Sequence, residues 1–211
     1  MLDNPDHELP AGHEGGSAAA GEAARLICLR LLASRPRTRA ELAAALRRRR
    51  VTADIVESVL GRFTEVGLID DAAFARAWVE SRHHGRGLAR RALAAELKQR
   101  GVAAEDVREA VASLRPEDEI ETARRLVARR VAATRGRPLP ARVRQLVGML
   151  ARKGYPAGVA YRVVREALQD EPSGIDADLE AAGIEEDASD DDWPGNYSGA
   201  RRDKGDGGFL E

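Results

Sequence analysis

The chain has 211 residues, of which 43% are apolar and 4% aromatic, and a formal net charge of −1. Because Ala, Leu and Val carry most of the apolar fraction, the composition favours closely packed helices and argues against a sheet. One cysteine, Cys28, excludes a disulfide framework, and no apolar run approaches the roughly 20 residues that span a bilayer. The N-terminus has acidic residues and no basic region typical of a secretory signal, so we expect a cytoplasmic protein that does not bind membranes.

The charge is unevenly distributed along the chain. Residues 22–168 contain 31 basic and 17 acidic side chains, whereas residues 169–211 contain 3 basic and 14 acidic ones. The first 21 residues contain four acidic side chains and no Lys or Arg. We therefore expect a basic body suited to polyanions, flanked by disordered acidic extensions over 1–21 and 169–211.

Helical patterning is continuous between these extensions. The predicted helices cover residues 23–34, 38–49, 52–66, 71–84, 88–100, 104–114, 117–134, 141–153 and 157–168. Thr38 and Glu41 have the spacing of a capping box, and Thr52 and Asp70 are predicted N-caps. Gly85 and Gly87 are predicted to end the fourth helix and to permit a sharp turn.

The apolar pattern repeats three times. Leu42, Leu46 and Val56 recur 51 residues later as Leu93, Leu97 and Val107, and 53 residues after that as Leu146, Leu150 and Ala160. Gly101 and Gly154 follow the middle helix of the second and third copies, where a left-handed residue is expected. The first copy has Arg50 there, so we expect a different or a strained turn. The sequence thus predicts an all-α fold of three tandem three-helix repeats (22–69, 70–115 and 116–168) in an elongated, curved array.

The join between the first two repeats carries the most distinctive motif. Gly67-Leu68-Ile69-Asp70-Asp71-Ala72-Ala73-Phe74-Ala75-Arg76 leads to Gly85-Arg86-Gly87 and then to Glu96-Leu97-Lys98-Gln99-Arg100-Gly101-Val102. In order and spacing this resembles the RecX family of bacterial recombination regulators, and the resemblance covers about residues 22–168. Phe74 and Trp78, four residues apart, are expected on the buried face of their helix, so most of the motif is interpreted as a fold signature.

The resemblance implies a function. RecX-like proteins bind the RecA recombinase, usually as its filament on DNA, and restrain its strand exchange, ATPase and coprotease activities. The resemblance therefore implies a negative regulator of RecA that acts in DNA repair, recombination and the SOS response. The expected protein is a monomer that acts by direct contact and needs no cofactor. Single- and double-stranded DNA are further expected partners. The alternatives from the residues alone are a general nucleic-acid-binding helical protein and an inert helical scaffold.

A basic surface on the second and third repeats is the predicted binding site. Its residues are Arg82, Arg86, Arg90, Arg91, Lys98, Arg125 and Arg129. Arg91 and Lys98 fall opposite the apolar face of their helix, and Arg125 and Arg129 lie four apart. The alternative interpretation is that these residues only make the surface soluble, with Glu121 neutralising Arg125.

No catalytic or metal site is predicted. The chain has no Walker A sequence, so any effect on ATP hydrolysis is expected through a partner. His83 and His84 are adjacent and point about 100° apart on a helix, so they do not form a chelating pair. Cys28 is expected to be a small core residue. The acidic run ending at Trp193 is interpreted either as a solvated tail or as a polyanion mimic that folds back on the basic surface.

Overall fold

The computed structural model describes residues 14–169, so the disorder predicted for residues 1–13 and 170–211 lies outside the described range. Within this range the chain is helical and contains no strand, which confirms the predicted fold class. The helices are α1 (Glu14–Ser34), α2 (Arg39–Arg48), α3 (Ala53–Glu65), α4 (Asp71–Arg86), α5 (Arg90–Gln99), α6 (Ala104–Ala112), α7 (Pro116–Val131), α8 (Leu139–Arg152) and α9 (Ala157–Leu168). None of these helices is long and apolar enough to cross a membrane.

Each group of three helices packs around its own apolar core. Leu42, Leu46 and Leu60 are fully buried in unit one (α1–α3), and Leu93 and Leu97 in unit two (α4–α6). The third core is formed by α7–α9 and also takes in Ala89, from the turn before α5. A fully buried leucine contributes about 1.5–3 kcal/mol to the free energy of folding. Each unit is therefore stabilised by a core of its own. Hydrogen bonds between helix ends join each unit to the next.

All three predicted N-cap residues stand at the start of their helices, and two of them make the side-chain capping bond. The Thr38 hydroxyl accepts the N–H of Glu41 at 3.1 Å, and the Asp70 carboxylate accepts the N–H of Ala73 at 2.7 Å. Thr52 has the extended backbone of an N-cap but makes no side-chain capping bond. In the predicted capping box only one of the two bonds is made, because the Glu41 carboxylate instead pairs with Arg100.

Three differences from the predicted element boundaries have a physical cause, and the remaining boundaries shift by at most two residues. Helix α1 begins at Glu14, inside the segment predicted to be disordered, because the alanines at 18–20 favour continuing the helix beyond its packed part. Gly85 lies within α4 and does not end it; Gly87, with φ of +62°, is the residue that does. The predicted end of the seventh helix is tightened into a 3₁₀ turn, Ala132–Thr134, because the buried Thr134 hydroxyl donates to the carbonyl of Val131.

Candidate partner-binding surface

The joint between units one and two forms where the N-terminus of α2 meets unit two. The Thr38 hydroxyl donates to the carbonyl of Arg100, at the end of α5, over 2.7 Å. The Asp71 carboxylate, in the first turn of α4, accepts the N–H of Arg39 at 2.9 Å. Together these bonds satisfy backbone groups at two helix ends that have no partner within their own helices. Burial raises the pKa of Asp71, against the opposing effect of the Arg39 N–H.

The joint between units two and three repeats this geometry with different residues. The N–H of Ala89, before α5, donates to the carbonyl of Lys153 at the end of α8 over 2.9 Å. Glu119, in the first turn of α7, accepts the N–H of Arg90 at 2.8 Å and its Nε at 3.0 Å. The two joints therefore place α2 on unit two and α5 on unit three in the same way.

Close backbone approach at the joints explains the glycines after α5 and α8. A Cβ atom on Gly101 would lie 2.4 Å from the Cβ of Ala40, and one on Gly154 would lie 2.5 Å from the backbone nitrogen of Ala92. Both glycines have positive φ, +75° and +87°, as does Arg50 at the corresponding position of unit one, with +60°. Of the two expectations for Arg50, a different turn or a strained one, the strained turn is confirmed, since a side chain in this region costs about 1–2 kcal/mol.

A groove of about 670 Å³ opens beside the first joint. Trp78 lines this groove: its Nε1–H donates to the Glu96 carboxylate at 2.8 Å, and its ring stacks with Phe74 at 5.6 Å between centroids. The guanidinium carbons of Arg82 and Arg100 lie 4.1 and 3.9 Å from the ring centroid. Such cation–π contacts contribute about 0.5–1 kcal/mol each at exposed sites and hold both guanidinium groups in place.

The groove presents fixed and free cations together. Arg82 pairs with Glu96 at 3.8 Å, and Arg100 pairs with Glu41. Arg86 and Lys98 also line the groove, are exposed, and make no ion pair within residues 14–169. The arrangement can therefore accept carboxylate or phosphate oxygens at two exposed cations beside a planar aromatic ring.

A second groove, of about 420 Å³, lies between units two and three. Arg125 donates to the Thr122 hydroxyl at 2.9 Å, and that hydroxyl is 3.0 Å from Nε2 of the buried His83. His83 Nδ1 in turn lies 2.9 Å from the carbonyl of Leu88. Because a carbonyl only accepts, Nδ1 carries the proton at this contact, and the ring links the end of α4 to Thr122 on α7.

Comparison with known proteins decides the family. Models of the first, second and third RecX three-helix domains match residues 24–63, 70–111 and 117–164. The regulatory protein RecX of Thermobifida fusca is 61% identical over 171 residues, covering 80% of this chain and 91% of the relative. The chain belongs to the RecX family.

Further comparisons agree with this RecX assignment. The regulatory protein RecX of Streptomyces coelicolor is 55% identical over 174 residues, covering 77% of this chain and 93% of the relative. The crystal structure of RecX from Lactobacillus salivarius has a TM-score of 0.65 at 16% identity over 71% of this chain and 97% of that one. The crystal structure therefore shows a shared fold, while the sequence identities show the family.

The RecX fold distributes the predicted basic residues over several places. Arg82, Arg86 and Lys98 line the first groove, and Arg125 lines the second. Arg90 is held at the joint by Glu119, which gives it a role in connecting units. Arg91 and Arg129 are exposed and line neither groove.

Two features of this RecX chain were missed by sequence reasoning. Trp78 packs against the core of unit two, as predicted, but it is only half-buried and also lines the groove, a role that its spacing of four from Arg82 could have indicated. The role of Arg100 depends on the fold alone, because its partner Glu41 is 59 residues away. His83 and His84 are in different environments, one buried and one exposed, and no cluster with metal-binding composition occurs among the described residues.

Proposed function

We propose that this protein binds the RecA–DNA filament and inhibits strand exchange, ATP hydrolysis and coprotease activity, and so regulates DNA repair and recombination. The membership of all three units in the RecX family carries the proposal. Three units joined in the same way twice make a repeating array, and a repeating array suits a filament built from repeating subunits.

The first groove is the proposed contact on unit two. Arg86 and Lys98 supply unpaired cations, and Trp78 with its two guanidinium neighbours supplies a rigid surface beside them. Contacts that combine apolar area with charge retain affinity when salt screens the charges. Affinity for phosphates alone falls steeply with salt, because it comes from counterion release.

Salt dependence therefore separates this proposal from the general nucleic-acid-binding alternative. The experiment compares binding of the full chain to RecA filaments on single-stranded DNA and to the same DNA without RecA. We expect the filament complex to persist at a salt concentration that abolishes binding to bare DNA. Equal affinities and equal salt slopes for the two would favour the alternative.

A pair of variants tests the groove. Arg86→Ala combined with Lys98→Ala is expected to weaken filament binding by about tenfold, since exposed charge pairs contribute modestly. The matched control is Arg30→Ala with Arg62→Ala, which removes the same charge from α1 and α3, neither of which lines the groove. If the control weakens binding as much as the groove variant, the effect comes from net charge and the groove has no special role.

A further inference from the structure

Charge in the C-terminal part of the chain is segregated to an unusual degree. Residues 122–165 contain twelve Arg and Lys side chains and no Asp or Glu. Residues 170–192, which follow almost directly, contain eleven Asp and Glu side chains and no Arg or Lys. The first of these segments forms nearly all of unit three (α7–α9).

The structure places much of this positive charge on the surface without compensation. Arg124 is paired, with Glu166 on α9 at 3.0 Å. Eight other arginines of unit three are exposed and make no ion pair with any residue in the described range: Arg125, Arg129, Arg130, Arg135, Arg137, Arg144, Arg152 and Arg162. Units one and two, by contrast, contain numerous ion pairs between their helices or within them. Unpaired cations of one sign repel one another and attract any anionic segment within reach.

We propose that the acidic segment 170–192 of this same chain docks on unit three, covers its exposed arginines, and must be displaced before an anionic partner binds there. The segment is attached directly after α9, so the contact is intramolecular with an effective concentration on the order of millimolar. Weak charge pairing is sufficient for docking at that concentration. The inference concerns this chain alone and does not depend on which partner the protein regulates.

The test uses the full-length chain in two forms. In the neutral-segment variant, Glu185, Glu186, Asp187, Asp190, Asp191 and Asp192 are changed to Gln or Asn; in the control, Asp203, Asp206 and Glu211, which lie beyond the segment, are changed in the same way. Backbone amide resonances are compared with those of the native chain by NMR. We expect shifts in the neutral-segment variant to cluster in residues 122–165, with the control unchanged.

Salt and concentration define the contact further. The shift differences should disappear as salt rises, because the Debye length falls from about 10 Å at 0.1 M to about 3 Å at 1 M. Superimposable spectra of unit three at low salt would overturn the proposal. Shifts that grow with protein concentration would also overturn it, because the segment would then be contacting another copy.

Masking has its own measurement, with a fluorescein-labelled oligo-dT as the anionic probe. If the segment is docked about nine-tenths of the time, the neutral-segment variant should bind the probe about tenfold more tightly than the native chain at low salt. Equal affinities, or no binding by either form, would overturn the masking.

Discussion

Replacing the glycines at the joints tests whether the units approach as closely as described. Gly101→Ala brings two costs: a side chain at a φ of +75°, and a Cβ atom 2.4 Å from the Cβ of Ala40. The first cost is about 1–2 kcal/mol. Overpacking adds about 1–3 kcal/mol, so we expect a loss of about 2–5 kcal/mol in the free energy of unfolding.

Gly67 and Gly136 provide matched controls. Both have positive φ, +74° and +82°, and nothing lies within 4 Å of a Cβ built on either. Gly67→Ala and Gly136→Ala should therefore show only the backbone cost of about 1–2 kcal/mol. The difference between Gly101→Ala and these controls measures the close approach of units one and two.

A double-mutant cycle identifies the clashing atom. Ala40→Gly removes the Cβ that meets Gly101→Ala, so the double variant should recover most of the overpacking cost. At the second joint, Ala92→Gly should rescue Gly154→Ala only in part, because the nearest atom there is the backbone nitrogen of Ala92. Urea unfolding followed by circular dichroism measures all of these variants. If Gly101→Ala costs no more than Gly67→Ala, the contact with Ala40 is not close and the described joint is wrong.

Three further predictions concern single side chains. Arg50→Gly should leave the free energy of unfolding, measured in urea, unchanged or raise it by up to about 1 kcal/mol. Relief of the left-handed strain exceeds or balances the conformational entropy that a glycine loses on folding. A clear loss of stability would contradict the strain at Arg50. Burial raises the pKa of Asp71 above its unfolded value, so its contribution to stability is present at low pH and lost as pH rises through the folded pKa. Asp71→Asn keeps an acceptor for the N–H of Arg39, so this variant should match or exceed the native stability at pH 7, and its advantage should shrink below about pH 4. Asp71→Ala removes the acceptor and should cost about 1–3 kcal/mol in the free energy of unfolding. Equal losses in the two variants would refute this account of the joint. Burial also raises the pKa of the Cys28 thiol, so Ellman's reagent should label it slowly in the folded chain and rapidly after denaturation; rapid labelling without denaturant would place Cys28 outside the core.

The threefold helical fold could be predicted because it depends on local spacing. Leu42, Leu93 and Leu146 recur with their neighbours at nearly constant intervals, and all three are buried. Capping residues such as Thr38 and Asp70 are equally local and marked two of the helix starts. Capping signals lie within about one turn of helix, so they can be recognised from the sequence alone.

The joints and the groove could not be predicted in the same way. The pairing of Arg90 with Glu119 spans 29 residues, and that of Thr38 with Arg100 spans 62. The sequence around Arg90 looks the same whether this side chain binds a partner or connects two units, so the sequence alone assigns it to the binding surface. Only the relative placement of units distinguishes these roles.

The most direct test of the proposed function is single-stranded-DNA-dependent ATP hydrolysis by RecA with the full-length protein titrated in. We expect inhibition at or below one molecule of this protein per RecA subunit, because all three units of one molecule can take part in its contact with the filament. Undiminished hydrolysis at equimolar protein would contradict the proposal that this chain restrains RecA.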